Sequence, residues 1–456
     1  MKKNYTRNTP AVSFLLAVLL AVTQSVNGQN QVKPTDSERK MSLREALALT
    51  EESNFQIQMA EADVEIVRSQ YRQTNAAFLP QLSIEETGLS TNDPLNVFGF
   101  RLKQQVVTTA DFNPDRLNDP GTYENFTTKF EVRQPLLNAD MLYKRSAVKN
   151  QVSAAKEQLE GTLQYARFQV KDTYYQLLLM QNRLETIAQS LEAARENERQ
   201  AKNFFDEGII SKADYLAAKV RLLDLQSRQS QTEDQYQTIQ DNFNYLLGLD
   251  ENINITPTDS LQDPRYSPDQ FEDIDDASNS GLEALRYRMN AAEQMVKSAK
   301  FNFVPTVNLF GNYEYNDDVL FGTRGDSYLL GATLKWNIFS GFSKVGKVME
   351  SKAELRKAEI AYENRAFKKK IEIRQAKRSI KQAQIQLNFA ESSVEQAAED
   401  FRIRNDRYEQ GMEKTTDLLA AETKLAQARF QRLNALYQYH KSVATLELLL
   451  EQDLSY

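Results

Sequence analysis

Cysteine is missing from this chain and histidine occurs once, at His440. Without cysteine there is no disulfide bracing, so an exported form must be held by packing or by association of copies. The same shortage argues against a thiolate or imidazole metal site, and no cofactor is expected. It also removes the attachment point for a lipid anchor at the mature N-terminus. Past residue 28 there is no run of 18 apolar residues, so if the protein sits in a membrane it does so as a β-barrel. No Ser-His-Asp set, catalytic carboxylate pair or phosphate loop is apparent, and no enzymatic role is expected. All eleven prolines lie at or before Pro305, and neither Gly nor Pro interrupts the 64 residues between Gly346 and Gly411. As one helix that stretch would be roughly 95 Å long, far beyond the usual globular helix.

The start of the chain reads differently. Lys2, Lys3 and Arg7 are followed by an apolar run from Ala11 to Val22 and a small polar end at Gly28. Residues 1–28 therefore read as a secretory signal peptide, too short to span a bilayer. Its removal takes three positive charges and moves the formal charge from −7 to about −10. An acidic exported chain is a poor nucleic-acid binder, and no nucleic-acid partner is expected.

One pattern is written twice, 203 residues apart. Phe205, Gly208, Asp214 and Leu216 recur at the same spacing as Tyr408, Gly411, Asp417 and Leu419, and in both sets an Ala pair follows the Leu directly. Phe78-Leu79-Pro80 and Phe303-Val304-Pro305 form a second matched pair, each before a strand-like run. A duplication of this size means one structural unit used twice. It divides the chain into a first helix–strand–strand–helix repeat (29–249), an acidic, Pro-containing irregular connector (250–281) and a second repeat (282–456).

Within each unit the apolar periods differ. Ala376, Ala383, Ala390 and Ala397 recur every seven residues, with Ile380, Leu387, Val394 and Phe401 four after each. Leu177, Met180, Leu184, Ile187, Leu191 and Ala194 keep the same phase in the first repeat. Such alternation of small and large residues at a 3–4 spacing predicts long interlocking helices. Elsewhere the period is two. Phe126, Thr128, Phe130 and Val132 alternate with Thr127, Lys129, Glu131 and Arg133; Val307, Leu309, Tyr313 and Tyr315 alternate with Asn308, Asn312, Glu314 and Asn316. Leu330, Ala332 and Leu334 alternate with Gly331, Thr333 and Lys335, and Leu82 with Ile84 begins a weaker fourth case. Apolar-out, polar-in strands of about ten residues are the signature of a lipid-facing barrel with a wet lumen. Residues 93–123 read as a long external loop in which Phe98-Gly-Phe-Arg-Leu102 is either a loop strand capping the barrel or a surface patch.

Four strands cannot close a barrel, and open edges cannot sit in lipid. Two chains would pool eight strands, whose interior fills with side chains, whereas three would pool twelve and leave a passage.

From Ser42 to Leu450 the chain resembles the TolC-like outer-membrane efflux proteins. The resemblance rests on the duplicated plan, the two Phe-x-Pro steps, Gln134-Pro135-Leu136-Leu137 and Trp336-Asn337-Ile338-Phe339 after the strands, and above all the paired aromatic–Gly–Asp–Leu motif. It implies an α+β membrane protein, with long antiparallel helices forming a periplasmic α-barrel and four strands per chain contributing to a trimeric 12-stranded β-barrel. It further implies an outer-membrane homotrimer whose helical part lies in the periplasm. The partners implied are a periplasmic adaptor (membrane fusion protein) and an inner-membrane transporter of RND, ABC or MFS type. By the same resemblance Gly208 and Gly411 mark the tip turns where the adaptor docks. Tyr408 is expected to bond Asp214 as an entrance latch, and Asp417 to form a carboxylate ring in the pore. The family pattern has an Arg where this chain has Glu413 and a second pore Asp where it has Ala420, so the lock must be built differently here. A periplasmic or surface coiled-coil scaffold would share the heptads and the leader, but it has no use for four alternating strands.

Overall fold

A computed structural model describes residues 38–250, 252–261 and 279–454. The proposed signal peptide and most of the acidic connector lie outside the described residues.

The chain opens with β1 (Arg39–Met41), followed by α1 (Leu43–Ser53) and α2 (Phe55–Gln73). Ser42 and Glu45 close a reciprocal capping box at the start of α1, satisfying two of its free backbone donors. Asn54 ends α1 and caps α2, its side chain accepting from Gln56 N at 2.9 Å and Ile57 N at 3.3 Å. β2 (Gln81–Thr91) and β3 (Tyr123–Leu137) flank two short helices, α3 (Pro94–Lys103) and α4 (Pro114–Asn118). The first long hairpin is α5 (Ala139–Asp206) and α6 (Lys212–Leu247). After β4 (Ile255–Pro257) the plan repeats as α7 (Ser280–Phe301), β5 (Thr306–Asp317), β6 (Gly325–Lys335), α8 (Ser343–Glu409) and α9 (Thr415–Leu450). The expected fold class is the one found: long antiparallel helices, a sheet of four strands and an internal duplication.

The two longest helices, 68 and 67 residues, each run about 100 Å. The first half of α5 packs on α2 and α7, and its later part on α6 and α9, so the two repeats share one helical layer. Most of the predicted seams are buried: Ala376, Ile380, Ala383, Leu387, Ala390 and Ala397 are at most 5% exposed, Leu177, Ile187, Leu191 and Ala194 match them in the first repeat, and Val394, Phe401 and Leu184 are partly buried. Alternating Ala and Leu/Ile lets these helices approach closely without leaving voids. Among the described residues no helix is long and apolar enough to cross a membrane.

The strands form one antiparallel sheet in the order β2-β3-β5-β6. A second, two-stranded parallel sheet pairs β1 with β4, in register Arg39↔Ile255. It clamps the N-terminal segment onto a core of Met41, Tyr174, Leu177, Phe243, Leu247 and Ile255. The Tyr174 hydroxyl lies 3.0 Å from Met41 O and 2.8 Å from Asp259 Oδ2 there, giving the buried phenol partners.

Of the two readings of Phe98-Gly-Phe-Arg-Leu102, the loop strand is overturned: residues 94–103 form helix. Asp93 accepts from Asn96 N at 2.9 Å and Pro94 occupies the first turn, a start signal that outweighs a five-residue alternation.

Candidate functional site: the sheet faces and the hairpin tips

Register sets the chemistry of the sheet. Leu82, Val132, Gly311 and Leu330 stand side by side across all four strands, as do Ile84, Phe130, Tyr313 and Tyr328. Residues in such a row share a face, and many here are well exposed, Leu82 by 77% and Leu330 by 73%. The opposite face carries Ser83, Glu85, Lys129, Glu131, Arg133, Asn312 and Glu314. There Glu131 takes Lys129 at 3.0 Å and Arg133 at 2.6 Å. The four separate period-two patterns therefore coincide on one two-faced sheet. Among the described residues its outer strands, β2 and β6, each have a bare edge, and none of them covers the apolar face.

At the far end of the helices the two turns are built alike. Gly208 and Gly411 adopt φ +73° and +71°, the left-handed region in which a Cβ is unfavourable. Ile209 N donates to Phe204 O at 2.8 Å, and Met412 N to Arg407 O at 2.8 Å, closing the same helix-ending motif in both repeats. A Cβ at either glycine would meet nothing within 4 Å, so the requirement is conformational and both turns are open to solvent. Phe204 and Tyr408 meet edge to face with centroids 5.8 Å apart, joining the two hairpins.

The expected latch residues are placed as follows. Asp214 and Asp417 are both third in their helices. Asp214 serves its own helix: its Oδ2 accepts from Ser211 Oγ at 2.7 Å, and Ser211 Oγ accepts from Asp214 N at 3.3 Å. The cap before Asp417 is Lys414, which offers no side-chain oxygen, and Asp417 is exposed. Tyr408 is 2% exposed, and its hydroxyl lies 3.3 Å from Thr415 Oγ1. Within one chain, then, Tyr408 is joined to Thr415 and not to Asp214.

Glu413, which stands where the resemblance led one to expect an Arg, forms an acidic clasp on its own turn. It receives Arg404 Nη1 at 3.3 Å and Arg407 Nε at 3.4 Å, tying the turn back to α8. Glu422, two residues beyond Ala420, points into the helix layer. It accepts from Asn197 of α5 at 3.2 Å and Arg221 of α6 at 3.3 Å, so one carboxylate on α9 joins three helices of both repeats. Burial pushes its carboxyl up, against the opposing pull of Arg221 and Asn197. A second node ties α5 to α9 higher up, where Lys171 Nζ donates to Glu447 Oε2 at 2.8 Å. Burial likewise raises Glu447. Neither node was legible in advance, because neither pairing has a fixed sequence spacing.

A two-faced sheet with open edges, attached to helices about 100 Å long, defines a class: channel subunits that pool strands in an outer membrane and helices beyond it. The chain belongs to the outer membrane efflux protein family, whose model matches residues 46–249 and 276–451. Solved structures share the fold at low identity. The Campylobacter jejuni outer-membrane channel CmeC superposes with a TM-score of 0.77 at 16% identity, over 90% of this chain and 85% of that one. The Vibrio cholerae outer membrane protein VceC gives 0.74 at 18%, over 91% and 97%. The open state of the Neisseria gonorrhoeae channel MtrE gives 0.71 at 14%, over 90% and 89%. No curated protein sequence matches the chain.

Proposed function

We propose that this protein is the outer-membrane exit duct of a tripartite efflux or type I secretion system. Three copies pool their four strands into a closed twelve-stranded barrel, and the helices of the same copies continue the tube into the periplasm. Export through it is passive, powered by an inner-membrane transporter of the RND, ABC or MFS class through a periplasmic adaptor. The observation that carries this reading is the sheet itself. Its apolar face suits lipid, its charged face has a use only in water, and its bare edges are satisfied only by neighbouring strands.

The tip completes the proposal. The open turns at Gly208 and Gly411 dock the adaptor, and around a threefold axis each Asp417 becomes part of a ring of three carboxylates. With Tyr408 held by Thr415 and Asp214 by Ser211, opening requires these local bonds to be exchanged, and the Glu413 clasp resists that exchange. The test is current through purified protein in planar bilayers, together with crosslinking from the two turns in cells. A small resting current, with adaptor captured from position 208 or 411, supports the reading. Protein that stays out of the bilayer and carries no current removes it.

A further inference from the structure

The connection between β2 and β3 does not splay outward. Thr127, Asn316 and Gly325 lie in one row of the sheet, on the same face as Lys129, Glu131, Arg133 and Glu314. The end of α3 rests on that polar face. Gln104, wholly buried, donates to Glu124 O at 3.0 Å and Asn125 Oδ1 at 2.9 Å, and accepts from the Tyr123 hydroxyl at 2.7 Å. Asn125 passes the network to Thr127 Oγ1 at 2.8 Å and Asn316 Oδ1 at 3.2 Å. Lys103 Nζ stands 3.7 Å from Glu314. A Cβ on Gly325 would lie 2.1 Å from Lys103 O, so only glycine admits the crossing chain. Arg101, paired with Asp111, also sits 5.0 Å above the Tyr123 ring, and Asp111 accepts from Thr108 N at 2.8 Å. The shorter connection before β6 leans the other way: Phe321 N donates to Glu86, which belongs to the apolar face.

We propose that residues 93–122 form a fixed constriction on the lumen side of the outer mouth, so that this chain itself sets a size limit on what leaves the duct. The proposal rests on the exit-duct reading. Twelve strands at ~4.8 Å spacing and ~40° tilt enclose a bore of about 24 Å between backbones. One further chain thickness of ~5 Å from each of three copies cuts that to about 14 Å before side chains are counted. Buried, mutually bonded amides hold the segment in place, since freeing one would strand the others unpaired.

The lack of cysteine makes the test clean. Ser83 is exposed on the polar face, six residues along β2 from the partner of Asn125, or about 15 Å deeper once the strand tilt is allowed for. In the Ser83→Cys protein a small methanethiosulfonate reagent added outside intact cells should label the thiol, and a bulky polyethylene-glycol maleimide should fail. Replacing residues 94–119 by a short Gly-Ser turn should let the bulky reagent in. Bulky labelling of both proteins, or of neither, overturns the constriction. Failure of the small reagent would instead overturn the wet lumen beneath it. Should the shortened protein not assemble, Lys103→Cys in the full chain decides. Three converging segments give covalent dimers with a flexible bis-maleimide, and monomers alone would refute convergence.

Discussion

Replacing Arg221 by Met should be among the most damaging single changes in the helical layer. The Glu422 side chain is 5% exposed and that of Arg221 11%, so the charge pair is almost dry. Deleting the cation leaves the carboxylate with Asn197 as its remaining partner, and stranding a buried charge typically costs about 3–5 kcal/mol. At about 2 °C per kcal/mol for a body of this size, the helical unfolding temperature should fall by about 6–10 °C. Circular dichroism of the purified protein at neutral pH reads this directly. The sign of the pH dependence follows from burial. Glu422 holds its proton more tightly folded than unfolded, so its contribution to stability is fully present below the ordinary carboxylate range and is lost as pH rises through the raised value. Without Arg221 the carboxyl rises further, so the variant's deficit should grow from mildly acid to neutral pH. Arg221→Met/Glu422→Met, which removes both charges, should recover most of the loss. An Arg221→Met protein that melts with the parent at neutral pH would refute the node.

Other outcomes follow from the tip and the sheet. Gly411→Ala should fold but lose about 1 kcal/mol per chain from the left-handed turn alone, measured as a melting shift, because no neighbour obstructs the methyl. Tyr408→Phe and Asp214→Asn should each raise resting conductance in planar bilayers; the asparagine keeps an oxygen for Ser211, so a change there reports the entrance and not a frayed helix. Unchanged current in both would clear them of any part in closure. Glu413→Gln should weaken the clasp to Arg404 and Arg407 and raise protease cutting near residue 411 over the parent. Gly325→Leu should disturb heat-modifiable migration, since its side chain would collide with the backbone at Lys103.

Periodicity carried most of the architecture because it is a local signal. All but the last of the 64 residues without Gly or Pro lie in one helix, and the Ala376–Ala397 seam is buried in the phase that the spacing predicts. Strand faces were legible for the same reason, one side chain in two pointing the same way. What escaped was short or long-range. The pairing of Arg39–Met41 with Ile255–Pro257 joins two three-residue strands more than 200 positions apart, too little pattern to read. Five alternating residues at Phe98–Leu102 looked extended, but Asp93-Pro94 starts a helix there. At the tip the duplication located the turns and aspartates, whereas the contacts among them depend on angles between helices that the chain order does not encode. Glu422 shows the limit most clearly: its partners lie 225 and 201 residues away.

The central claim is that sheet edges β2 and β6 of different copies pair to close a barrel. Because the parent has no thiol, a scan with one cysteine between residues 81 and 91 and another between 325 and 335 tests it directly. At matched heights, oxidation should yield covalent dimers and trimers in the outer-membrane fraction, with the yield alternating along the strand. Monomers at every combination, from protein that is folded and membrane-bound, would contradict it.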